Sequence, residues 1–135
     1  MNLIVDANIL FSALYKPASN AGDLLLHAIE GDVVLFSTEH VYAEMKRIVQ
    51  EKLDYSSHDA WDVINHLPIE WLEIDIYREG MDQARKYSTD VSDSSLIALS
   101  ILSGYDIVTG DKHLLSSRCP GIRIRKLKDV VDDLR

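Results

Sequence analysis

Short, unbroken apolar runs, each stopped by a polar residue, constrain this chain more than anything else in its sequence. Leu3-Ile4-Val5 runs into Asp6, Val33-Val34-Leu35-Phe36 stops at Ser37-Thr38, and Ile107-Val108 leads through Thr109 and Gly110 to Asp111. A strand with one face in water alternates apolar and polar residues; a run without alternation is buried on both faces. Such strands belong to parallel sheets covered by helices, and the segments between them carry helical periodicity. The pattern predicts strands at 2–6, 33–36, 71–76, 106–109 and 122–124. It predicts helices at 8–15, 20–30, 38–51, 57–66, 77–87, 93–103 and 126–134, with a helical turn at 113–116. In sheets of this kind sites form beyond the carboxyl ends of the strands, which is where Asp6 and Asp111 fall.

The chain has 135 residues, 47% of them hydrophobic and 27% charged, which suits one soluble domain spanning 1–135. No apolar run approaches the roughly 20 residues that cross a bilayer. Asp6 interrupts the first run and no basic stretch precedes it, so the start does not read as a signal peptide, and a cytoplasmic location without membrane contact is expected. Cys119 is the only cysteine, which excludes an internal disulfide and a cysteine zinc site. The net charge of −8 argues against a protein held to nucleic acid by bulk charge alone. It does not exclude a nuclease, because carboxylates that bind metal count toward the negative total while the ions reverse the local field.

Two further acids fall on helix faces that should turn inward. Glu44 shares its stripe with Val41 and Ile48, and Asp93 shares its own with Leu96, Ile97, Ser100 and Ile101. No lysine or arginine lies on these stripes to neutralise them. Carboxylates buried together repel one another, and a shared divalent cation relieves the repulsion. Oxygen-only ligation favours magnesium or manganese. The histidines (His27, His40, His58, His66 and His113) show no metal-ligand spacing, which argues against zinc. Each acid also has a local explanation: Asp6, Asp93 and Asp111 could cap helices, and Glu44 could be half-exposed.

Four segments, LIVDANIL, STEHVYAEMKRI, DVSDSSLIALSILSGYDIV and VTGDKHLL, together resemble the PIN-domain nucleases, in order and over nearly the whole chain. The resemblance implies an α/β fold: a three-layer α/β/α sandwich around a central, mostly parallel twisted sheet of about five strands. It carries the acidic set, catalytic and metal-binding, onto Asp6, Glu44, Asp93 and Asp111, with one or two Mg2+ or Mn2+ ions between them. Asn8 and Thr109 match supporting polar positions, Asp90 reads as a cap or outer group, and Lys112 as a weak substrate contact. Serines stand at 94 and 95, where the family commonly has alanine or proline. The small prokaryotic members include VapC-like toxins, which cleave RNA, pair as homodimers and are blocked by a small antitoxin. The resemblance therefore implies a metal-dependent endoribonuclease of toxin type. A PIN nuclease of RNA processing and a non-catalytic PIN scaffold are the alternatives.

Two unrelated phosphoryl chemistries fit poorly. A phospho-accepting signalling domain wants an acidic pair at the first strand and an acceptor Asp after a middle one; VDAN supplies one acid and VVLFSTEH no Asp. A haloacid-type phosphatase needs D-x-D, and this chain has D-A-N. Two basic groups, Lys46, Arg47 and Lys52, and Arg123, Arg125, Lys126 and Lys128, could meet phosphates or simply face solvent.

Overall fold

A computed structural model describes all 135 residues. Its centre is β1 (Asn2–Val5), hydrogen-bonded on one side to β2 (Val34–Thr38) and on the other to β4 (Asp106–Thr109). Outside these lie β3 (Ile69–Leu72) and β5 (Ile124–Lys126), giving the order β3-β2-β1-β4-β5 with every pair parallel. Leu3, Ile4 and Val5 are all buried. Successive strand side chains point to opposite faces, so helices must cover both faces, as the unbroken apolar run requires. The result is the three-layer α/β/α arrangement, with a single core cluster of 31 buried residues.

The helices that matter for the site start where strands end. α1 (Ala7–Tyr15) follows β1 after one residue, and α3 (Glu39–Lys52) follows β2 directly. α2 (Asn20–Ile29), α4 (Ser57–Asn65) and α9 (Leu127–Leu134) complete the long elements near their expected positions. α7 (Val91–Ser103) is the most buried helix, packed on α3, β2 and β4. α8 (Lys112–Leu115) is one turn beyond β4. No helix is long and apolar enough to cross a membrane.

Four expectations of the sequence need correction. The strand expected at 71–76 lies at Ile69–Leu72, and α5 (Ile74–Tyr77) is a helical turn. Glu39 explains the switch: its carboxylate accepts from the Ile74 backbone N–H at 2.5 Å and starts the turn from 35 residues away. The helix expected at 77–87 breaks into a 3-10 turn at Arg78–Gly80 and α6 (Met81–Ala84). Gly80 sits against the Ala98 backbone, where a Cβ would meet the carbonyl oxygen at 2.8 Å, so this turn is pressed onto α7 rather than running on as a regular helix. α7 begins two residues before the expected 93, because Asp90 is its cap. The last strand is Ile124–Lys126 instead of 122–124.

Candidate active site

Asp6 follows the central strand and is 4% exposed. It caps α1: Oδ1 accepts from the Ile9 N–H at 3.0 Å. Oδ2 accepts from the hydroxyl of Thr109, a fully buried residue at the end of β4. The same Thr109 oxygen accepts from the Asp111 N–H at 2.9 Å. One hydroxyl thus ties Asp6 to the chain at Asp111, across two strands that neighbour each other in the sheet. Asp111 caps α8 by accepting from the His113 N–H at 3.0 Å. The cap explanation therefore holds for Asp6 and Asp111, as it does for Asp90 on α7, where Oδ1 accepts from the Asp93 N–H at 3.0 Å. It does not hold for Asp93, which lies in the first turn of α7.

Asp6, Asn8, Glu44 and Asp93 line one small cleft, with Val41 and Leu96 among its apolar walls. Its volume is about 20 Å³, and a cavity needs roughly 10–15 Å³ to hold one water. It therefore has room for a single water-sized body. Asp93 also borders a larger cavity of about 560 Å³ that contains Asp111 and Asp90. Asp93 is thus the wall shared by both cavities. Asn8 and Asp111 also line a further depression, between the start of α1 and the end of β4.

Neither Glu44 nor Asp93 has a lysine, arginine or histidine within ion-pair distance. The electrostatics follow. Burial pushes the Asp93 carboxyl up to about 6, and Asp90, Asp111, Asp6 and Glu44 all push it the same way. Burial also raises the Asp6 carboxyl, against the hydrogen bonds from Thr109 and Ile9, and Asp111 and Glu44 add to the rise. Four carboxylates from α3, α7 and the ends of β1 and β4 thus feel one another with no cation between them. Oxygen donors, missing counter-charge and a cleft of this size suit a hard divalent ion.

The helices are braced across the same cleft. Thr38 caps α3 by accepting from the Val41 N–H at 3.1 Å, and its hydroxyl meets Ser95 of α7 at 2.7 Å. Ser95 donates to the Ser92 carbonyl at 2.6 Å, which makes Thr38 the donor between the two hydroxyls. The helix bearing Glu44 is therefore bonded to the helix bearing Asp93. Ser94 donates to the Ser88 carbonyl at 2.8 Å. The two serines at 94 and 95 are structural fasteners.

Lys112 is exposed and lines neither cavity; His113 lines the larger one. The basic groups at 46–52 and 123–128 are engaged within the chain only in part. Arg47 pairs with Glu51 and Arg125 with Asp133, and Lys52 lies over the Phe11 ring. Sequence reasoning passed over Arg85, Lys86 and Tyr87, which line the larger cavity. The signal was the run RKY a few residues before Asp90 and Asp93, hidden inside an expected helix. It also saw no ligand spacing among histidines, yet His27, Glu30 and Asp32 bring their ligand atoms within 4.8 Å of one another. That group is at the amino end of β2, remote from the acids, and His27 Nδ1 already meets Asp32 at 2.7 Å.

Comparison with known proteins agrees with the architecture. The family model described as PIN domain matches residues 4–135. Similar solved structures include VapBC2 from Rickettsia felis bound to a DNA fragment from its promoter. The likeness there is 18% identity over 93% of this chain and 98% of that one, with a TM-score of 0.63. DNA-bound VapBC from Salmonella typhimurium is 15% identical over 94% and 98% of the two chains, with a TM-score of 0.72. A toxin–antitoxin complex from Klebsiella pneumoniae is 15% identical over 89% and 94%, with a TM-score of 0.61. At these identities the likeness is one of fold. Among curated proteins no sequence matches.

Proposed function

Since the chain belongs to the PIN-domain family, we propose that it is a metal-dependent endoribonuclease that hydrolyses RNA phosphodiester bonds and serves as the toxin of a toxin–antitoxin pair. The observation that carries this reading is the cleft shared by Asp6, Glu44 and Asp93, water-sized, unneutralised and lined by oxygen donors. These three acids would hold the main Mg2+ or Mn2+ ion, and Asp111 a second ion or its water. Bound there, such an ion supplies charge neutralisation on the phosphate and a water of lowered pKa.

The chain's own residues do the rest. Asp6 is locked by Thr109 and Ile9, so its free lone pairs face the cleft in one orientation. Thr109 orients the Asp6 carboxylate, Asn8 borders the cleft, and Asp90 holds the first turn of α7 so that Asp93 is presented inward. Asp111, bonded to α8 through the His113 N–H, lines the larger cavity together with Asp93. Support for the toxin role comes from the structural neighbours, which are VapBC and toxin–antitoxin assemblies. Tyr15, Leu26 and Ile29 leave large apolar side chains in solvent on α1 and α2, a surface suited to a small antitoxin or a second copy of the chain.

RNA cleavage assayed with magnesium, with manganese and with chelator tests the reading. Cleavage is expected only with metal, and Asp6→Ala and Asp111→Asn are expected to lower it about a hundredfold or more. Metal-independent cleavage, or full activity in both variants, overturns the site. A chain that cuts no nucleic acid but binds a partner tightly is a scaffold instead.

A further inference from the structure

The larger cavity beside the acids has walls that the acids do not explain. One wall is the link from α6 to α7, with Arg85, Lys86 and Tyr87; the facing wall is α8 and the turn after it, with His113 and Ser117. Asp111 belongs to the same lining, and so does Asp93, which the small cleft shares. Arg85 is only loosely engaged, 3.6 Å from a fully exposed Asp82, and Lys86 has no ion pair. A surface pair of that kind holds an arginine weakly, so both cations are available to a ligand. Ser117 adds a different observation: its hydroxyl is buried without a hydrogen-bond partner. A buried hydroxyl left unpaired costs free energy unless something else completes it.

The wall is rigid enough to select what it binds. Ser94 holds the Ser88 carbonyl, the Asp90 N–H donates to the Ser88 hydroxyl at 3.3 Å, and the Tyr87 N–H donates to the Ala84 carbonyl at 3.0 Å. Tyr87 is half-buried against the core, so its ring is held in place. The volume lies in the range of about 300–1,000 Å³ that accepts a ligand the size of a nucleotide. A polyanion approaching four carboxylates on a chain of net charge −8 needs a cationic wall close by.

Resting on the nuclease reading above, we infer that this groove seats the nucleotide adjoining the cut phosphate, with Arg85 and Lys86 on its backbone phosphate, Tyr87 and His113 against its base, and Ser117 completing its hydrogen bonds. Cations tracking the backbone and rings against unpaired bases are the usual means of holding a single strand. Arg85 and Lys86 are therefore positioning residues, and Tyr87 and His113 set which base is preferred.

The test uses a fluorescent single-stranded oligoribonucleotide in two assays: steady-state cleavage with magnesium, and anisotropy with calcium in its place. Arg85→Ala combined with Lys86→Ala is expected to raise KM about tenfold, with the loss carried by KM rather than kcat, and to weaken binding equally. Tyr87→Leu, which keeps the apolar packing, is expected to alter the preference among the bases beside the cut. Lys16→Ala combined with Arg78→Ala removes the same charge elsewhere and is expected to shift KM less than twofold. An equal shift from that control overturns the groove. So does a wild-type chain that cleaves RNA while the Arg85/Lys86 and Tyr87 variants match it, and the nuclease reading then stands. A wild-type chain that binds the oligonucleotide through Arg85 and Lys86 but never cleaves it keeps the groove and removes the nuclease reading. Neither binding nor cleavage overturns both.

Discussion

The chain gathers carboxylates at both edges of its sheet, and the two gatherings are opposite in kind. At the amino edge His27, Glu30 and Asp32 come from one short stretch. α2 ends there in a turn around Gly31, whose φ of +87° returns the chain on itself. The Asp32 N–H donates to the His27 carbonyl and the Gly31 N–H to the Ala28 carbonyl, the bonding of a Schellman helix end. The cluster is a by-product of stopping a helix, it is largely exposed, and His27 satisfies Asp32 within it. At the carboxyl edge Asp6, Glu44, Asp93 and Asp111 come from four separate parts of the sequence, partly or fully buried, with no cation among them. Proximity of ligand atoms singles out the first cluster. The cost of assembly singles out the second, because long-range folding has brought together charges that repel.

The largest expected difference between the two clusters is in stability. In chelator at pH 7.5, Asp93→Asn is expected to raise Tm by about 5 °C, since it removes a charge that burial and four acids disfavour. The pH dependence has a definite sign. Below the ordinary carboxylate value of 3.8 Asp93 is protonated whether folded or not. Between there and about 6 the folded chain keeps a proton that the unfolded chain has released, so stability falls as pH rises. The advantage of Asp93→Asn should therefore vanish near pH 4, grow to about pH 6 and stay level above. Magnesium should reverse the order at pH 7.5, stabilising the wild type more than the variant. Thermal melts across pH, with and without magnesium, check all of this. A variant that gains nothing in chelator removes the repulsion from the comparison.

A comparable effect of opposite sign should come from the brace between α3 and α7. Ser95→Ala strands the buried Thr38 hydroxyl without its acceptor, at a cost of about 1–3 kcal/mol in denaturant unfolding. Metal affinity should fall with it, because Glu44 and Asp93 then lose their fixed spacing. The smallest effect belongs to the amino edge. Asp32→Asn loses only an exposed pair, about 0–1 kcal/mol, and should leave cleavage and the magnesium-induced rise in Tm unchanged. A magnesium effect lost in Asp32→Asn but kept in Asp93→Asn would exchange the two assignments.

What the sequence reveals is what local chemistry decides. The ends of β1 and β4 are readable because each apolar run stops at a polar residue that can only sit at the sheet edge. Glu44 and Asp93 are readable because helical spacing puts them beside apolar residues. The misread parts depend on partners far along the chain. Glu39 turns 74–77 into a helical turn, Ala98 blocks a side chain at Gly80, and the meaning of Arg85 and Lys86 appears only when α8 faces them. The start of α7 differs from the expected one for another reason. TDVSD offers two acids three residues apart, either of which could be the cap, and Asp90 takes that role. The family resemblance reaches the acids and His113 but not Arg85, Lys86, Tyr87 and Ser117, which lie outside the shared motifs.

The hydroxyl of Thr109 has a consequence beyond orienting one carboxylate. It joins the ends of two central strands, and through them the caps of α1 and α8, by hydrogen bonds between Asp6, Thr109 and Asp111. Amides held in this way open to exchange only in the deepest openings of a protein, so the N–H groups of Ile9 and Asp111 should be among the slowest to take up deuterium. Loosening the hydroxyl from one carboxylate also loosens the strand end beside it, so the two ends are expected to open together.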